Sequence, residues 1–304
     1  MYDIIVVGGG PAGMTAALYA QRNGKSALVI EKAGFGGQIT HSPKVENFPS
    51  RLTMSGNEFA DELFSQILEQ GAEFEIETVS SIEDKGSYKV VSTEEGSKFE
   101  GKAVIIATGV KHRMLGLEGE NELVGEGISF CAVCDGDFYK NKVVCVAGGG
   151  NSALQEAILL SDKCSKVIML QDMPYFTGEQ RLQDVLFARD NVEAHTGVKI
   201  EKLLTENNEF CGVEIKNTEG ETKRIDADGL FVAIGLVPEN EPFKDLAELN
   251  DYGYFDSNES CLTKTPGVFV AGDCRSKQIR QITTAAADGT IAALAACNYI
   301  NQAG

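Results

Sequence analysis

Two cysteines in the run Cys131-Ala132-Val133-Cys134, followed at once by Asp135-Gly136, carry the most pointed chemical signal in the chain. Two thiols separated by two residues can close a small disulfide, and a helix terminus or a nearby charge can favour the reactive thiolate. Reducing a disulfide to a dithiol consumes two protons, so a carboxyl group beside the second sulfur has a task as proton donor and acceptor. Zinc is a competing reading, but zinc asks for four ligands. No second close cysteine pair exists, and the three histidines are dispersed at 41, 112 and 195, so no metal site is expected. Two buried thiols at an incidental spacing are the plainest alternative. The other six cysteines, at 145, 164, 211, 261, 274 and 297, lie mostly singly and read as small buried hydrophobes, not as a disulfide framework. The N-terminus MYDIIVVGGG lacks a basic region and carries Asp3, so a signal peptide is not expected and the cytoplasm is the expected compartment.

The elements around the cysteine pair occur twice. Asp3–Val7 is a β-branched run, followed by Gly8-Gly9-Gly10-Pro11-Ala12-Gly13, an Ala-rich helical stretch to about Asn23, and a strand ending at Glu31. From Lys142 the same order returns: KVVCVA, then Gly148-Gly149-Gly150-Asn151-Ser152-Ala153, the helical LQEAILLS, and the strand KVIML. The first glycine and the strand end are 23 residues apart in both copies, 8 to 31 and 148 to 171. A second echo pairs Ala103–Gly109 (AVIIATG) with Gly229–Gly235 (GLFVAIG). Each copy is a dinucleotide-binding unit in outline. The first glycine permits the tight turn and the second admits a pyrophosphate. The third position, Gly13 or Ala153, allows close helix–strand packing, and the helix start faces the phosphates. An acidic residue closing the second strand binds adenosine ribose hydroxyls, and Glu31 fills that place in the first copy.

The fold class follows: α/β, with two Rossmann-like dinucleotide-binding domains (three-layer ββα), the second inserted into the first. Leu115–Gly119 and Pro238–Pro242 read as the linkers. They bracket an inserted domain at 116–242 and leave a discontinuous one at 1–115 and 243–304. Thr53–Gln70 reads as a helix opened by the capping-box pattern Ser55…Glu58, and Glu73–Gly101 as strands with a small hairpin layer. The 304 residues are 43% hydrophobic and 24% charged, which excludes disorder, collagen and coiled coil. A net charge of −18 makes nucleic acid and anionic membrane surfaces poor partners, and no apolar run approaches the roughly 18 residues of a membrane span.

Taken in order, GGGPAG (8–13), GGQ (36–38), VENFP (45–49), ATG (107–109), CAVCDG (131–136), GGGNSA (148–153), AIG (233–235) and GVFVAGD (267–273) with RQI (280–282) resemble the low-molecular-weight thioredoxin reductases. The resemblance covers nearly the whole chain. It implies a homodimeric flavoprotein with FAD on the first unit and C-terminal segment, and the cysteine pair and a pyridine-nucleotide site on the inserted unit. Carried over, Gly8, Gly10, Pro11, Ala12 and Gly13 cradle the FAD pyrophosphate, with Glu31 and Lys32 at the adenosine end. Gly37, Gln38 and Asn47 lie toward the isoalloxazine, with the Ala107-Thr108-Gly109 turn also on FAD. Asp273 takes the ribityl or pyrophosphate region, and Arg280, Gln281 and Ile282 approach the flavin ring. Cys131 and Cys134 are implied as the redox disulfide with Asp135 as acid/base, Cys134 toward the flavin and Cys131 toward the partner. Gly148, Gly150, Asn151, Ser152 and Ala153 form the candidate nicotinamide site.

One departure bears on the electron donor. Family members that use NADPH carry a His-Arg-Arg…Arg cluster after the second strand of the inserted unit. Here the stretch is Gln171-Asp172-Met173-Pro174-Tyr175-Phe176-Thr177, with no Lys or Arg from Val167 to Gln180. A lost charged hydrogen bond costs roughly 1.5–3 kcal/mol, and Asp172 adds repulsion. NADPH is disfavoured. NADH remains open, as does a protein donor such as ferredoxin, against which the acidic chain counts mildly. The expected activity is reduction of a thioredoxin-like disulfide through FAD and the cysteine pair. The sulfurs must meet the flavin and then a partner protein, which calls for rotation of the inserted unit about its linkers. Two rivals are a dithiol oxidase that passes electrons to oxygen and a non-catalytic redox or nucleotide sensor.

Overall fold

The first glycine turn joins strand to helix as the spacing predicts. In the computed structural model, which describes residues 1–42 and 45–303, β1 (Tyr2–Val7) leads through Gly8–Gly10 into α1 (Pro11–Arg22) and on to β2 (Ala27–Glu31). Next come α2 (Gly56–Glu69), β3 (Glu73–Ile76), β4 (Val79–Asp84), β5 (Lys89–Thr93) and β6 (Lys98–Ile106). The capping box of α2 is formed. Glu58 donates its backbone N–H to Ser55 Oγ (3.0 Å), and Ser55 donates its N–H to Glu58 Oε2 (2.6 Å).

The chain then passes β7 (Val110–His112) into the inserted segment: α3 (Glu120–Leu123), β8 (Ile128–Ser129), α4 (Ala132–Asp135), β9 (Val143–Ala147), α5 (Asn151–Ser161), β10 (Lys166–Gln171), α6 (Gln180–Phe187), β11 (Val192–Thr196), β12 (Val198–Glu206), β13 (Glu209–Asn217), β14 (Thr222–Asp226) and β15 (Gly229–Val232). It returns through β16 (Leu236–Pro238) to β17 (Val268–Val270) and α7 (Ile282–Ala303). Two compact units result, Met1–Lys111 with Val237–Gly304, and His112–Leu236. The crossings come a few residues ahead of the Leu115–Gly119 and Pro238–Pro242 linkers. At the crossings β7 and β16 pair as a two-stranded sheet, and backbone pairing outweighs local glycine and proline content in setting where they fall.

In the first unit β1, β2, β3, β6 and β17 run parallel, and β4 and β5 extend the sheet antiparallel from β6. Successive side chains of a strand face opposite ways. Ile4 and Val6 therefore enter the core with α1 and α7, while Ile5 and Val7 enter the one holding Ile82 and Val91 of the β4–β5 hairpin. The second unit repeats the scheme. Its parallel sheet, in the order β11-β10-β9-β15-β8, sends Val144 and Val146 toward Leu154, Ala157 and Leu160 of α5. Cys145 and Ala147 go to the other face, toward Val213 and Ile225 of the antiparallel β12-β13-β14 sheet. The repeat reaches single residues. Gly8 (φ +109°) and Gly148 (φ +127°) both need the left-handed region, and an added Cβ would lie 2.3 Å from Ala107 O or 2.5 Å from Ala233 O. Among the described residues no helix is long and apolar enough to cross a membrane.

Candidate redox and dinucleotide sites

Cys131 and Cys134 are joined by a disulfide across the single turn of α4, with Cα atoms 5.3 Å apart. Cys131 caps that turn. Its carbonyl accepts from Cys134 and Asp135, and the Cys134 N–H also reaches Cys131 Sγ at 3.2 Å. In the reduced state such a donor favours a thiolate on Cys131. Asp135 follows inside the same turn. Burial pushes its carboxyl above the ordinary range, partly offset by the Ser129 hydroxyl, which donates to Oδ2 at 2.6 Å. The buried Ser129 Oγ also accepts the Cys131 N–H (3.1 Å), so one hydroxyl fixes both the acid and the first sulfur's backbone. Nothing in the sequence singles out Ser129, because serine two residues before a cysteine has no signature of its own. Five of the six single cysteines are buried, but Cys211 is only half-buried, its sulfur 3.9 Å from an Arg224 nitrogen, so the expectation of six buried thiols fails there.

The proposed FAD residues gather around the first glycine turn. Gly10 is the N-cap of α1 and Pro11 its first residue, so the turn's amides open toward a ligand as a phosphate cradle does. At Gly13 a Cβ would lie 1.9 Å from Gly8 O, which a side chain cannot occupy. Glu31 ends β2 with Oε2 accepting the Gly9 N–H (2.6 Å) and Oε1 the Ala33 N–H (3.1 Å). The Gly36 N–H donates to Gly9 O (2.8 Å), and an added Cβ on Gly37 would lie 3.3 Å from Gly10 Cα. Gln38 follows in the 3-10 turn Gly37–His41. Ala107 O packs on Gly8, Thr108 Oγ1 donates to Asn240 Oδ1 (3.0 Å), and Gly109 takes a φ of +66°. The Lys32 ammonium pairs with Glu239, which Lys111 also holds at 2.8 Å.

The C-terminal segment closes onto this loop. A Cβ on Gly272 would meet Ala12 Cβ at 2.7 Å, which sets the Asp273 turn against the start of α1. Asp273 Oδ1 is buried with no partner, and burial pushes the carboxyl up to about 6. A sugar hydroxyl would satisfy that oxygen, so the site fits the ribityl region of a dinucleotide flavin. The buried Asp288, on α7, holds the turn. It accepts from Gly272 N (3.0 Å), Lys277 Nζ (2.8 Å) and Arg275 Nη1 (2.7 Å). Periodicity marks Asp288 only as a polar residue in an apolar helix, and its role needed the fold. Arg280 donates to Asp273 O (3.3 Å) and lies 4.4 Å over the Tyr254 ring, while Asn47 donates to Gln281 Oε1 (3.1 Å) and Ile282 begins α7.

The second glycine turn has the same backbone and other side chains. Gly150 is the N-cap of α5, followed by exposed Asn151 and Ser152 and buried Ala153. Thr177 and Gly178 N–H groups both donate to Gly149 O (2.9 Å), and Asn151 Oδ1 accepts the Glu179 N–H (2.7 Å). Gln171, in the place of Glu31, is buried, and a Cβ on Gly149 would sit 2.5 Å from its amide, whose Nε2 donates to Tyr175 O (3.2 Å). Asp172 and Arg181 are exposed.

Residues 2–289 match the family model described as pyridine nucleotide-disulphide oxidoreductase. The chain is 38% identical over 304 residues to thioredoxin reductase of Bacillus subtilis, covering 99% of this chain and 96% of that protein. It is 39% identical over 299 residues to the 34.2 kDa protein in the rubredoxin operon of Clostridium pasteurianum, covering 98% and 97%. The crystal structure of thioredoxin reductase from Streptococcus pyogenes superposes with a TM-score of 0.93 at 37% identity, covering 99% of each chain.

Proposed function

The chain belongs to the pyridine nucleotide-disulphide oxidoreductases, as a low-molecular-weight thioredoxin reductase, and from that premise we propose that it reduces a thioredoxin disulfide through FAD and Cys131–Cys134 with electrons from a donor other than NADPH. The observation that carries the chemistry is the disulfide itself, closed on a turn that also holds a buried carboxyl bonded to Ser129. FAD, when bound, relays the two electrons. The chain's own residues manage the protons and the geometry. Asp135 supplies a proton as the sulfurs part and takes one back as Cys131 becomes the attacking thiolate, toward which the Cys134 N–H is aimed. Ser129 keeps the carboxyl in place through both steps.

The donor reading rests on the second ribose position. A 2′-phosphate there would face the neutral Gln171 and the anionic Asp172, with no cation from Val167 to Gln180. Free ribose hydroxyls need no cation, so NADH fits better. A reduced protein such as ferredoxin, which needs no ribose pocket, is the other candidate donor. Anaerobic titration of the FAD-loaded protein with NADH, NADPH and reduced ferredoxin, each followed by oxidised thioredoxin, tests the reading. Bleaching by NADH or ferredoxin with subsequent thioredoxin reduction is the expected result. Full bleaching by micromolar NADPH overturns the donor assignment, and failure of the reduced protein to reduce thioredoxin overturns the activity.

A further inference from the structure

A second carboxyl group stands behind the disulfide. Glu156 lies on α5 one turn before Leu160, so the two share a helix face. That face meets the redox turn, because a Cβ on Gly136, directly after Asp135, would sit 3.4 Å from Leu160 Cδ2. Glu156 Oε2 is buried with no hydrogen-bond partner, and so is Asp135 Oδ1. A buried, unpaired carboxylate oxygen is costly, and two whose charges act on each other are costlier, unless one of them carries a proton.

The geometry points to Glu156 and Asp135 as a buried carboxyl couple that holds one proton and delivers it to the cysteine pair when the disulfide is reduced, a role that rests on the thioredoxin reductase reading above. The balance closes. Breaking the Cys131–Cys134 bond takes two electrons and two protons. Both electrons and one proton would come from reduced FAD when it is bound. Asp135 passes on the other, which it receives from Glu156, so the couple ends doubly ionised until solvent reloads it. Two thiols form, and the S–S bond is the bond that breaks. Glu156 acts through Asp135 and is therefore a positioning residue and proton store, in electrostatic contact with the acid.

The electrostatics agree. Burial, then the charge of Asp135, pushes Glu156 up to about 8, so it stays protonated at neutral pH. The cation beside the redox turn is Lys163, whose Nζ would lie 4.0 Å from a Cβ placed on Gly136. Lys163, beyond the end of α5, pairs with Asp137 at 2.7 Å. Tyr139, in the turn after α4, is pushed up to about 12 and Cys164 to about 11, both uncharged at neutral pH. Arg181 and Asp184 of α6 are exposed, and β9 and β10 bring apolar Val144, Val146, Val167 and Met169 to the core beside α5.

Infrared spectroscopy of the oxidised, FAD-loaded protein tests the couple without any donor or thioredoxin, so its outcome is separate from that of the activity. The difference spectrum, native minus Glu156→Gln, is expected to show a protonated carboxylic acid band at pH 7 that vanishes as pH rises through about 8. Asp135→Asn removes the neighbouring charge and is expected to lower that midpoint. In turnover, Glu156→Gln is expected to slow thioredoxin reduction about tenfold, below the ~100-fold and upward of a directly positioned acid, and to change the alkaline limb of the pH profile while retaining FAD. Glu156→Asp, which keeps the carboxyl, restores part of the rate and guards against a folding defect. No carboxylic acid band at pH 7, a midpoint indifferent to Asp135→Asn, or a native rate and pH profile in Glu156→Gln overturns the couple.

Discussion

Glu31 and Gln171 close equivalent strands, 23 residues after equivalent glycines, yet one side chain grips its glycine turn and the other turns to its own loop. Glu31 takes the Gly9 N–H on one oxygen and the Ala33 N–H on the other. Gln171 packs over Gly149 and donates its amide to Tyr175 O. The backbones agree closely. In each turn the middle carbonyl accepts a loop amide, from Gly36 in one and from Thr177 and Gly178 in the other. Steric demands on the backbone therefore preserve the cradle, while the charge at one strand end and its following loop decide what the cradle can read. A carboxylate suits ribose hydroxyls, and a neutral amide beside Asp172 gives a phosphate no counter-charge.

The largest effect expected from breaking this comparison is at the sulfurs. Cys131→Ser or Cys134→Ser should abolish thioredoxin reduction and leave bound FAD unchanged, since the first turn does not depend on the second unit's chemistry. A residual rate above about a tenth of native, about 1.4 kcal/mol of barrier, would place the nucleophile elsewhere.

Next in size are matched glycine substitutions. Gly8→Ala forces a Cβ to 2.3 Å from Ala107 O and should lower FAD content more than tenfold, read from absorbance of the purified protein. Gly148→Ala meets Ala233 O at 2.5 Å and should leave FAD content near native while impairing any NADH-driven bleaching. Equal flavin loss in both variants would show that the two turns are not separable.

A smaller effect sharpens the comparison from the other side. Asp172→Arg with Met173→Arg restores cations where the first unit needs none, and should improve flavin reduction by NADPH several-fold relative to NADH. No change would show that the Gly148–Ala153 turn does not bind nucleotide, leaving a protein donor. The smallest effect concerns Asp273. Its folded carboxyl titrates at about 6, above the ordinary 3.8, so ionisation disfavours the FAD-free fold, and that protein should lose stability as pH rises from about 4 to 6. Asp273→Asn should flatten that slope in denaturant melts, and added FAD should offset it.

Both glycine turns, the strand ends at 31 and 171, and the cysteine pair were legible because backbone sterics and disulfide spacing leave local signatures. So was the capping box at Ser55. Ser129, Asp288 and Glu156 were not, because each acts through a neighbour supplied by another element: Ser129 on Asp135, Asp288 from α7 on Gly272, and Glu156 from α5 behind α4. The pairing of β7 with β16 where the chain passes between the units is likewise a long-range event that glycine and proline content does not encode.

That pairing also governs how the molecule can be made. The first unit's sheet is unfinished when the chain leaves it after β6, because β17 pairs with β6 and α7 packs on α1 only after residue 236 has been synthesised. On the ribosome the inserted unit is complete first and can fold while the flavin unit still lacks its last strand and helix. With β7 and β16 side by side, the inserted domain leaves and rejoins the first unit at neighbouring points, so its length adds little entropy to joining the two halves once it is folded. The same neighbouring ends make the insertion a natural place to cut and rejoin the chain.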